Sequence, residues 1–143
     1  MPHISQCPRR DKLWEDESGS ASVELALVFG LTVLILFAII EFGLLMNARI
    51  VVTTAAREGA RRAAVDGGAS DAAFSRVRDI LLSAGLYTEA TRISIHPLVA
   101  SYGSSITVRV ELNYEVKTPA VSAISQRFIP VVAEVVFRSE RVR

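Results

Sequence analysis

The sequence predicts an α+β fold: an N-terminal transmembrane helix extended into a long helix, followed by a small domain with one more helix and a short antiparallel sheet. Three observations predict it. Leu25 to Met46 is an apolar run with a single charge, Glu41. The residues after it keep a helical pattern as far as a Gly-Gly stop at Gly67 and Gly68. Beyond residue 90 the period changes from that of a helix to that of a strand, clearest in "SITVRVELNYEV". A chain of 143 residues can bury one modest core, so one small domain beside a membrane helix is the natural count.

The 22 residues from Leu25 to Met46 extend ~33 Å as a helix, enough to cross a hydrocarbon core of ~30 Å. A soluble helix of that length would carry a polar stripe, and this run has none. A secretory signal would have a shorter apolar region, usually ~7–15 residues, ending at an A-x-A-like site. Here the run ends in "EFGLLMNAR", and the leader before it mixes Arg9, Arg10 and Lys12 with Asp11, Glu15, Asp16 and Glu17. A retained span is therefore expected, with the lipid bilayer as its partner. Lys and Arg counts near the ends do not settle its orientation: three lie before it, and Arg49, Arg57, Arg61 and Arg62 after it.

From Ala48 to Val65 the helix is expected to continue. Ala55, Gly59 and Ala63 recur every fourth residue, with Ala56, Ala60 and Ala64 beside them. Such small-residue stripes admit the close approach of another helix or a sheet, from the chain's own domain or from another subunit. Ser70 to Ala84 reads as a second helix, with Ser70 as N-cap, Phe74, Val77, Leu81 and Ala84 near one face, and Gly85 as the stop. Arg92–Ile95 is a short strand bounded by Pro97. In the next strand Ile106, Val108, Val110, Leu112, Tyr114 and Val116 face one way, and Val131–Phe137 is a third candidate. The loops "LVASYGSS" and "KTPAVSAISQRF" join them, and the helix at residues 70–84 is expected to cover the apolar face.

Composition narrows the function. A net charge of +1 leaves no basic excess to neutralise phosphates, so nucleic acid is not an expected partner. Cys7 stands alone, which excludes an internal disulfide, and with His3 and His96 it makes no thiolate-rich zinc site. No G-x-S-x-G, phosphate-binding glycine loop or H-E-x-x-H occurs. His96 before Pro97 reads as a strand-end residue, and Tyr102 before Gly103 as turn chemistry. Neither a metal, a cofactor nor a catalytic activity is expected.

The candidates that carry function are two acids in the apolar helix. Glu24 at its mouth is favoured near a helix N-terminus by ~0.3–1 kcal/mol, which leaves Gly19, five residues earlier, without a role. Glu41 would cost ~2.5–3.5 kcal/mol at a bilayer centre but sits near the far end of the run, as an interfacial acid or a helix contact. Seventeen residues separate them, about 100° around a helix, so they do not form a catalytic pair.

Gly19, "SASV", Glu24 and the long apolar helix together resemble the processing site of type IV pilin precursors. With the continuation through "VELALV", "IIEFG" and "AAREGARRAA", the chain from Gly19 to Ala64 resembles the TadE-like family, pseudopilins associated with the tight adherence (Tad) pilus and secretion machinery. That resemblance implies a prepilin peptidase cutting between Gly19 and Ser20 on the cytoplasmic face of a bacterial cell membrane. Residues 1–19 would then be a cytoplasmic leader, 20–66 the transmembrane and extended helix, and 67–143 a small extracytoplasmic domain. It also implies other pilin or pseudopilin subunits as partners. Glu24, fifth in the processed chain, would pair with the new amino group of Ser20 or that of a neighbouring subunit. An uncleaved single-span anchor that recruits partners through its outer domain remains the alternative.

Overall fold

The computed structural model describes residues 13–140, apart from the side chains of residues 13–18 and Ala120. Cys7, His3 and the leader charges Arg9, Arg10, Asp11 and Lys12 lie outside the described residues. The elements run α1 (Leu13–Asp66), α2 (Asp71–Ser83), β1 (Arg92–His96), β2 (Ser105–Glu115), α3 (Pro119–Ser122) and β3 (Phe128–Arg138). The expected α+β architecture is what the chain adopts.

Helix α1 divides into two halves with different surroundings. From Gly19 to Ile40 no side chain is buried, and Leu25, Leu27, Phe29 and Ile39 are among the most exposed apolar residues in the chain. This half is apolar all round, long enough to cross a membrane, and fits a single-pass anchor. From Glu41 onward one stripe goes inside: Glu41, Ala48, Val52, Ala55, Ala56, Gly59, Ala60, Ala63 and Ala64. Their spacing of three and four residues keeps them on one face of the helix. The helix stops where Gly67 and Gly68 adopt φ of 78° and 135°, values that L side chains rarely tolerate.

Helix α2 starts at Ser70, whose Oγ accepts the Ala73 amide at 3.1 Å. It buries Ala73, Val77 and Leu81, with Phe74 and Ile80 partly covered, while Ala84 lies past its end and is exposed. The three strands pair antiparallel in the order β1-β2-β3. On β2, Ile106, Val108, Val110, Leu112 and Tyr114 point inward. The outer face carries charge pairs instead: Arg109 Nε donates to Glu111 at 2.6 Å, and its guanidinium lies 3.5 Å from Glu134 on β3. Pro130 sits in β3, an edge strand, where a missing ladder donor is tolerated.

The cover of the sheet differs from expectation. The distal half of α1 lies across β2 and β3, while α2 packs mainly beside α1. The reason is the small stripe: with Ala and Gly at the contact, the strands approach the α1 backbone closely, and a third layer is not needed. At Gly59, an added Cβ would run into the Val77 side chain and lie 3.7 Å from Val108, so α1, α2 and β2 converge on this one residue. The loop before β3 also holds an unexpected single turn of helix, α3, opened by Pro119.

Gly59→Ala should lower stability by up to ~2 kcal/mol, since overpacking against the stiff Val77 outweighs the gain in helix propensity. Gly43→Ala is the matched control, with nothing within 4 Å of its added Cβ, and should be neutral or slightly stabilising. Thermal unfolding of both variants in one detergent checks the difference.

Candidate functional site

The two halves of α1 meet at Glu41, where the apolar helix first touches the domain. Strand β2 runs back along α1 and returns its last inward residue, Tyr114, to this level. The lengths agree. From Glu41 to Ala64 the helix rises ~35 Å, and from Tyr114 to Ser104 a strand extends ~34 Å. At the far end the Glu140 amide donates to the Ala64 carbonyl at 3.0 Å, and the Ala100 amide to the Gly67 carbonyl at 2.8 Å. At the near end Glu41 closes the arrangement.

Glu41 is 4 % exposed, and four donors converge on its carboxylate. The Tyr114 hydroxyl donates to Oε1 at 2.9 Å and the Lys117 amide to the same oxygen at 3.2 Å. The Thr118 amide donates to Oε2 at 3.0 Å and the Thr118 hydroxyl at 2.8 Å. Two donors on each oxygen fill the capacity of an ionised carboxylate, which has no hydrogen to place among them. Thr118 occupies the N-cap position of α3, yet its hydroxyl makes no cap bond and serves Glu41 instead. The carboxylate that the sequence leaves as an interfacial acid or a helix contact is thus bound by its own domain, through three residues 73 to 77 positions away.

The pair marks Tyr114 electrostatically. Burial comes first, and the acceptor and negative charge of Glu41 add to it, pushing the phenol up to about 12 from an ordinary 10.0. The folded state therefore holds the phenol proton more tightly than the unfolded chain. That contribution is whole below pH ~10 and is lost as pH rises toward 12.

Glu24 has a different environment. It is exposed on α1, and among the described residues it has no hydrogen-bond or ion-pair partner. Gly19, Ser20, Val23, Glu24 and Leu27 line one shallow groove along the helix, so Ser20 and Glu24 share a face, one turn apart. Glu24 and Glu41 are not brought together. Ala55, Gly59 and Ala63 are all buried inside the domain, against α2 and the sheet. His96 ends β1 and is exposed.

Tyr114, Lys117 and Thr118 are the site residues that sequence reasoning missed. Tyr114 was legible as an inward strand residue. Its hydroxyl needs a buried acceptor and Glu41 needs donors, but only the antiparallel return of β2 along α1 places the two side by side.

Glu41→Ala should destabilise the domain by about 2–4 kcal/mol, because the Tyr114 hydroxyl and two amides lose a charged acceptor. Glu41→Gln should also destabilise, since its amide group would face donors; limited proteolysis and thermal unfolding in detergent measure both. Absorbance titration of the native protein should show one of its three tyrosines ionising near pH 12, a late step that Tyr114→Phe removes.

Comparison with known proteins returns one family and no individual relative. No curated protein and no solved structure matches the chain. The matched family segment contains Gly19, Ser20, Glu24, Glu41, Ala55 and Gly59 and ends on α1, before α2 and the sheet. Residues 19–61 match the TadE-like protein family, the one that the same stretch of sequence resembles.

Proposed function

We propose that the chain is a TadE-like pseudopilin, a minor pilin-like subunit of a Tad-type pilus assembly or secretion system that acts through helix–helix assembly. The observation that carries this reading is the family match, which opens at Gly19 and runs through the apolar half of α1 into its docked half. In this reading a prepilin peptidase removes residues 1–19 on the cytoplasmic side. The helix stays in the membrane and the domain lies outside it. The all-round apolar surface from Leu25 to Ile40 then meets lipid or the helices of other pilin-like subunits.

Glu24 has a specific role here. It lies 17 positions before Glu41, a rise of ~26 Å, less than the ~30 Å hydrocarbon thickness. With Glu41 held at one boundary by the domain, Glu24 falls inside the other, where an unpaired carboxylate is costly. The amino group created at Ser20, on the same helix face or on a neighbouring subunit, is the cation that would satisfy it. We assign no catalytic role to the chain.

The uncleaved anchor is the second reading, and one observation favours it: α1 is helical from Leu13, straight through the Gly19–Ser20 bond. Intact mass and N-terminal sequencing of the protein extracted from its native membrane separate the two. A chain beginning at Ser20 is expected, and one beginning at Met1 or Pro2 overturns processing. In the same measurement Glu24→Ala should be expressed normally but accumulate unprocessed or fail to assemble.

A further inference from the structure

We propose that the segment from Lys117 to Phe128 is a second membrane contact, seated in the outer headgroup layer of the bilayer that α1 crosses, with Ile124 and Phe128 as its apolar anchors. The proposal rests on the single-pass reading of α1 and goes beyond it, since it concerns the folded domain.

The level of this segment is set by Glu41. Two consecutive backbone amides, Lys117 and Thr118, are bonded to its carboxylate, so the segment begins where the half of α1 without a buried side chain ends. It is also a closed loop, because the Val116 amide donates to the Arg127 carbonyl at 2.9 Å. The loop cannot swing away toward the distal end of the domain. With Glu41 at the hydrocarbon boundary, the headgroup layer covers the next ~5–8 Å. On α1 that depth corresponds to Phe42–Met46, where Phe42, Leu44 and Met46 are exposed apolar residues. Loop and helix therefore present apolar side chains at one level.

The composition of the loop is that of an interfacial segment. Ile124 is 74 % exposed and Phe128 51 % exposed, large apolar side chains that the domain leaves open to the surroundings. Lys117 and Arg127 lie on either side of Ile124, and Arg127 directly precedes Phe128; both cations are exposed. The Arg127 guanidinium lies 5.8 Å from the Phe128 ring centroid and also pairs with Glu115 at 2.9 Å. The Lys117 ammonium has no ion-pair partner among the described residues. Apolar anchors interleaved with cations suit the acyl–headgroup boundary of a phospholipid leaflet, with the basic groups at phosphate level. Continuity with the span is what selects lipid over another protein: the loop is bonded to α1 at Glu41, where the apolar half of the helix gives way to the docked half.

The test uses the full chain reconstituted in vesicles of mixed phosphatidylcholine and phosphatidylglycerol. Single cysteines replace Ile124, Leu31 or Tyr102 in a Cys7→Ser background, each carrying an environment-sensitive fluorophore. Leu31→Cys reports the span itself, and Tyr102→Cys an exposed turn at the opposite end of β2. The expected result is that the label at residue 124 is quenched by lipids spin-labelled near the headgroup and loses the iodide quenching seen at residue 102. A label at 31 quenched by lipid with the label at 124 quenched only by iodide overturns this proposal and leaves the span standing. A label at 124 shielded from both quenchers means that protein covers the loop, which also overturns it. A label at 31 open to iodide overturns the span and this contact together.

Discussion

A carboxylate inside an apolar helix must be given donors or it destabilises whatever contains it, and the fold is arranged around that requirement at Glu41. Four hydrogen bonds from Tyr114, Lys117 and Thr118 satisfy both oxygens. They join the point where α1 changes surroundings to the end of β2 and the start of α3. Without that acceptor, two backbone amides and a phenol would be left unpaired at the base of the domain. The same bonds tie the base of the sheet to the helix at this level.

The rest of the packing follows from how close the sheet must come for those bonds to form. Ala48, Ala55, Ala56, Ala60 and Ala63, with Gly59 among them, bring α2 and the strands against the α1 backbone. Larger residues, Val77, Leu81, Ile106, Val108, Val110 and Val131, fill the space from the facing side. The division of labour is reasonable for a helix in two solvents. Its proximal half is apolar for lipid, whereas its distal half is small on one face for close contact and carries Arg49, Arg57, Arg61 and Arg62 on the other.

This arrangement changes what the small-residue stripe is available to do. Ala55, Gly59 and Ala63 are occupied by the domain, so in the pseudopilin reading contacts with other subunits would fall to the proximal half of α1 or to the opposite face of its distal half. The two acids likewise separate in role. Glu41 is satisfied within the chain, whereas Glu24 is exposed and, in the pseudopilin reading, is the one whose partner comes from processing or from a neighbour.

The sequence by itself determined the elements and most of the core. Apolar length marks the span, the glycines at 67 and 68 mark the end of α1, Ser70 marks the start of α2, and alternation marks β2, because each depends on neighbours within a few residues. The family resemblance was legible for the same reason: its motifs lie along one continuous helix. Tertiary structure alone decided that α1 rather than α2 covers most of the sheet, and that the small stripe faces inward. It also decided that Glu41 belongs to Tyr114, Lys117 and Thr118. Those outcomes depend on the antiparallel return of β2 along α1, a pairing across more than 70 residues that no local pattern encodes.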